Sequence, residues 1–137
     1  MRAVLDTNVL VAALLSRHGG RAGVVSRWLA GEFELIVSPL LLAELERVLA
    51  YPKIADRIAA ADAEAFLQLL ADAGMVAPDP AATPARSVDA DDDYLLALAE
   101  STNAVVVTGD RHLLELAGRF PVETVAQFVE RLEGSAP

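Results

Sequence analysis

The chain contains no cysteine. That excludes disulfides and thiolate metal sites. Its two histidines, His18 and His112, are too few for a histidine-rich zinc centre. Aromatic residues make up only 5% of a chain that is 54% hydrophobic. The core is therefore expected to be Leu, Val and Ala. No run of about eighteen apolar residues occurs, so no helical membrane span is expected. A strand pattern begins almost at the first residue, in place of a signal peptide. A soluble, cytoplasmic protein is the expectation. Bases are scarce: 11 Lys and Arg stand against 20 Asp and Glu, a net charge of −9. That balance argues against a broad basic nucleic-acid footprint. It also allows some acids to be held together to bind cations.

At 137 residues, one domain over the whole chain is expected. Its most informative stretch is Ala104 to Asp110. Four β-prone apolar residues read as a strand buried on both faces, and the run stops on Thr108, Gly109 and Asp110. The N-terminus does the same: Ala3-Val4-Leu5 runs into Asp6-Thr7-Asn8. Further strands are expected at Phe33 to Val37, Met75 to Ala77 and, weakly, Pro121 to Thr124. Helices are expected over Val9 to Leu15, Ala22 to Ala30, Ser38 to Ala50, Asp62 to Ala73, Asp92 to Ser101, Arg111 to Ala117 and Val125 to Leu132. Lys53 to Arg57 reads as a short helical turn. Arg17 to Arg21 is a glycine-marked basic loop, and Pro78 to Ser87 a proline-rich one. Ser38 caps its helix, with Pro39 at the first position. Within the second helix Val24, Val25, Trp28 and Leu29 are expected to face inward. Strands alternating with helices imply a three-layer α/β/α sandwich on a parallel sheet of about five strands.

Each acid has a plain alternative to a functional role. Asp6 and Asp110 can cap the helices that follow them, although Thr7 or Asn8 could also serve at the first. Glu44 lies at the edge of the stripe Leu41, Leu42, Leu45, Val48 and Leu49, where a solvated glutamate is ordinary. In Asp89-Ala90-Asp91-Asp92-Asp93, acids suit a helix start, and Asp91 is the expected cap. Asp92 does not fit that explanation. On the helical wheel it sits amid Leu95, Leu96, Leu98 and Ala99, while Asp93 falls on the polar side with Glu100. A charge aimed at the core is costly unless paired or metal-bound.

In the common doubly wound order 3-2-1-4-5, the first and fourth strands are neighbours and the order reverses between them. Asp6 and Asp110 would then flank the crevice, with Asp92 starting from the same edge. Several oxygen ligands without Cys or His select Mg²⁺ or Mn²⁺. A centre of that kind suits phosphoryl chemistry.

Four pieces in this order resemble the PIN-domain ribonucleases. They are Val4 to Leu10; Val37-Ser38-Pro39 with Leu42-Ala43-Glu44-Leu45; Asp89 to Asp92 with Leu96 to Ala99; and Val107 to Asp110 with Leu113-Leu114. Within that family the chain looks most like the bacterial and archaeal toxins of toxin–antitoxin pairs. The resemblance places the family's acids on Asp6, Glu44, Asp92 and Asp110, with Asn8 and Thr108 as supporting polar residues. A register shifted by one would use Asp93 instead; the wheel and the spacing to Asp110 favour Asp92. The resemblance further implies cleavage of single-stranded RNA by a Mg²⁺- or Mn²⁺-activated water, a homodimer, and a small antitoxin protein. Arg17, Arg21, Lys53, Arg57 and Arg111 offer local positive patches for RNA. An edge of carboxylates would favour a partner with a basic tail, because arginine meets a carboxylate with two hydrogen bonds. The 17–21 and 78–87 loops are candidate walls for its helix.

Readings from other classes fit less well. A receiver domain needs a lysine after the fifth strand, and the one lysine is Lys53. A haloacid-dehalogenase phosphatase needs a second aspartate where Asn8 stands. No Gly-x-Ser-x-Gly elbow occurs for a serine hydrolase. A catalytically silent binding module of this fold, or an RNA-processing nuclease outside any toxin pair, remains as the alternative.

Overall fold

A computed structural model describes residues 1–16 and 23–134. The apolar runs form β1 (Arg2–Leu5), β2 (Glu34–Val37), β3 (Met75–Val76), β4 (Val105–Val107) and β5 (Val122–Glu123). Every neighbouring pair is parallel and the order is β3-β2-β1-β4-β5. β1 and β4 lie side by side, Ala3 opposite Val105 and Leu5 opposite Val107. Ala3, Val4, Leu5, Val106 and Val107 are completely buried. That is the state expected of central strands covered on both faces. The strand order reverses between β1 and β4, which opens a crevice at their carboxyl ends.

The helices are α1 (Thr7–Leu15), α2 (Gly23–Leu29), α3 (Pro39–Leu49), α4 (Pro52–Ala55), α5 (Ala60–Ala73), α6 (Ala90–Thr102), α7 (Arg111–Leu114) and α8 (Val125–Gly134). α1 starts at Thr7 because Asp6 itself is the cap, rather than Thr7 or Asn8. α6 starts at Ala90 because Asp89 takes the cap expected of Asp91; its carboxylate accepts the Asp91 N–H at 2.8 Å. α7 is a single turn and does not reach Ala117. The following residues tighten into i→i+3 turns, Leu116 N–H donating to Leu113 O at 2.9 Å. Leu29, expected inward, is exposed at the end of α2. Phe33 meets Phe128 edge-on, 4.9 Å between ring centres, seating α8 on the core. Asn103 takes a left-handed conformation, φ 57°, and stops α6 directly before β4. The chain thus reverses, and the start of α6 lies beside the carboxyl ends of β1 and β4. The basic loop with Arg17, His18 and Arg21 lies outside the described residues.

Candidate active site

The crevice is a cleft of about 390 Å³. Its polar walls are Asp6, Thr7, Asn8, Glu44, Asp89, Asp91, Asp92, Tyr94 and Asp110; Leu40, Leu41, Val48 and Leu95 supply the apolar part. Asp6 extends the sheet by one more bond, its N–H donating to Val107 O at 3.0 Å. Its side chain does two jobs. One oxygen accepts a long 3.4 Å bond from Asn8 N–H as the α1 cap. The other accepts the Thr108 hydroxyl at 2.7 Å. Thr108 is fully buried, and its hydroxyl in turn accepts Asp110 N–H at 3.0 Å. One side chain therefore sets the positions of both acids. Burial raises the Asp6 carboxyl above the usual range; the Thr108 and Asn8 bonds oppose this, and the charge of Asp110 adds to it. Asp110 caps α7, accepting His112 N–H at 2.8 Å.

Asp92 is 5% exposed, and its Oδ2 is buried without a hydrogen-bond partner. Desolvation, then the charges of Asp110, Asp89, Asp6 and Asp91, push its pKa up to about 6. Asp93 is also buried, contrary to its expected place on the polar side. The wheel assumes solvent on the far face of α6, but the 86–87 backbone folds over it. Asp93 accepts Arg86 N–H at 2.9 Å and Ser87 N–H at 2.8 Å, which hold its carboxyl below the usual range. Asp93 does not line the cleft, whereas Asp92 does.

Glu44 faces the cleft from α3, half-buried between Leu40, Leu41 and Val48, and pairs with Arg47 one turn on. Asn8 stands exposed at the cleft wall. Arg111 is exposed at the start of α7 and is not part of the cleft wall. Arg17 and Arg21 lie outside the described residues. Tyr94 was not singled out in the sequence. Burial, then its bond to Asp79, pushes its hydroxyl pKa up to about 12, so it remains a donor. Its partners are 15 and 56 residues away, so no local pattern signals it.

A divalent cation suits this chain by donor type. The cleft presents carboxylate oxygens without Cys or His, and Asp92 Oδ2 is a buried acceptor without a hydrogen-bond partner. Among the described residues, no three or more such side chains are drawn into a ready-made metal cage. A larger cavity, about 800 Å³, lies elsewhere, between α3 and α5, and is mainly apolar.

The fold and cleft define a doubly wound α/β domain with a carboxylate cluster at its topological switch point. The PIN-domain family model matches residues 2–112, and the chain belongs to that family of nucleases. Among solved structures, PAE2754 from Pyrobaculum aerophilum superimposes with a TM-score of 0.67 at 21% identity, covering 98% of this chain and 91% of that one. VapBC2 from Rickettsia felis, bound to a DNA fragment from its promoter, gives 0.59 at 18% identity, with 90% and 98% covered. FitAcB from Neisseria gonorrhoeae gives 0.57 at 22% identity, again with 90% and 98% covered. No curated protein matches significantly.

Proposed function

We propose that this chain is a Mg²⁺- or Mn²⁺-dependent endoribonuclease for single-stranded RNA, acting as the toxin of a toxin–antitoxin pair. The observation that carries the nuclease reading is Asp92: a buried carboxylate oxygen with no partner, facing Asp6 and Asp110. Asp6, Asp92 and Asp110 would hold the ion, with Glu44 bound directly or through water. The ion would supply an activated water and offset charge on the scissile phosphate. Thr108 orients Asp6 and Asp110 for this task, and Asn8 is placed at the cleft wall to meet the substrate. Arg111, with Arg17 and Arg21, would meet the RNA backbone outside the acidic cleft.

The toxin reading rests on the sequence resemblance and on the likeness to VapBC2 and FitAcB. Its partner would be a small protein with a basic tail reaching the cleft. The apolar groove between α3 and α5 is a better seat for its helix than the 78–87 loop, which lines neither cavity. We also propose a homodimer, checked by light scattering.

The test is incubation of purified protein with a mixed RNA pool. Cleavage should vanish in EDTA and return with Mg²⁺ or Mn²⁺. Asp92→Asn should lower the rate at least about a hundredfold, while Asp93→Asn keeps activity. The reverse result would move the site to Asp93. Growth arrest on expression, relieved by a co-expressed small neighbour, would support the toxin role. Harmless expression of an active nuclease would make it an RNA-processing enzyme.

A further inference from the structure

The Tyr94 hydroxyl sits at a three-way junction. It donates to Asp79 Oδ1, in the segment after β3, and lies 2.5 Å from Ser38 Oγ, at the start of α3. The same Asp79 oxygen accepts Leu40 N–H at 3.2 Å, and Ser38 Oγ accepts Leu41 N–H at 3.3 Å. Asp79 and Ser38 thus satisfy the free N–H groups of the first turn of α3, and Tyr94 fastens both to α6. These two helices form opposite walls of the cleft: Glu44 projects from α3 and Asp92 from α6. Among the described residues, no other side-chain hydrogen bond ties the start of α3 to α6.

We propose that Tyr94 is a positioning residue: through Ser38 and Asp79 it sets the separation of α3 and α6, and with it the reach of Glu44 toward a cation at Asp92. Glu44 lies less than two turns beyond Ser38 on the same helix, so its carboxylate moves with the start of α3. The inference rests on the metal reading given above. A tie that serves stability alone would leave metal affinity unchanged once the protein is folded. A tie that sets the reach of Glu44 must act through Glu44.

The experiment is Mn²⁺ titration calorimetry on folded wild type, Tyr94→Phe, Glu44→Gln and the double variant. Tyr94→Phe keeps the ring and removes only the hydroxyl. It should weaken Mn²⁺ binding roughly tenfold, the lower range for loss of an outer-shell partner. In the Glu44→Gln background the same change should alter affinity less than about twofold. Asp79→Ala, which removes the acceptor from outside the cleft, should repeat the Tyr94→Phe loss. Unchanged Mn²⁺ affinity in Tyr94→Phe, or a loss that persists in full beside Glu44→Gln, overturns the proposal while leaving the metal site intact. Absence of Mn²⁺ binding by wild type overturns the metal reading, and this inference with it.

Discussion

Burial and the neighbouring carboxylates penalise the charged form of Asp92. Its pKa is about 6 in the fold against 3.8 for a free carboxyl. A raised value means the fold prefers the protonated form. Stability is therefore lost as pH rises from about 4 through 6, the reverse of a salt-bridged carboxylate. The penalty at neutral pH is at most about 3 kcal/mol. Asp6 is shifted the same way and adds to the trend. In EDTA, wild type should be less stable at about pH 8 than at about pH 5. Asp92→Asn should flatten that dependence and gain about 1–3 kcal/mol at the higher pH, measured by urea denaturation. A variant destabilised at both pH values would show that Asp92 is structural. Asp6→Asn should keep α1 intact, because asparagine caps as well as aspartate.

At the scale of elements, two joints are decided by close backbone contacts. Asp93 ties the 86–87 backbone onto α6. Its lowered pKa stabilises the fold above the ordinary carboxyl range and ceases to as pH falls below it. Asp93→Asn should lower the urea midpoint at neutral pH and leave Mn²⁺ binding unchanged; lost binding with an unchanged midpoint would reverse the assignment. The other joint is Gly74, between α5 and β3. A Cβ there would stand 2.5 Å from Leu70 O and 3.1 Å from Val37 Cγ2. The nearest atom is backbone and cannot rotate away. Gly74→Ala should cost about 1–3 kcal/mol, read from thermal or urea unfolding. A neutral result would mean the α5–β3 turn shifts freely.

For the whole molecule, charge and ligand binding act together. A net charge of −9, with several acids in one cleft, gives the folded state a negative field that attracts cations. Ions that bind only the folded form stabilise it by about 2.7 kcal/mol at a hundred times their dissociation constant. Mn²⁺ should therefore raise the thermal midpoint of wild type by several degrees, and Asp92→Asn should abolish most of the rise. An equal rise in both proteins would point to diffuse surface binding. A partner with the proposed basic tail should associate faster at low salt than at high salt, because screening weakens the acidic field.

The order of elements was legible because each is announced locally. Val105 to Val107 is β-branched and apolar, and reads as a buried strand. Ser38-Pro39 had to open a helix. Alternating strands and helices pointed to a parallel sheet; with the common doubly wound order 3-2-1-4-5 as a premise, which the fold adopts, Asp6, Asp110 and Asp92 fall at one edge. What depends on contacts across the chain was not legible. Asp93 looked solvated until the 86–87 backbone closed over it. Among the cap candidates Asp6, Thr7 and Asn8 the choice fell on Asp6, because Val107 of β4 and Thr108 just after it orient that residue. Tyr94 gave no signal at all, since its partners come from a proline-rich loop and a distant helix start. Periodicity reports which face of an element is apolar; only tertiary packing decides which polar groups meet, because each such bond is made between segments far apart in the sequence.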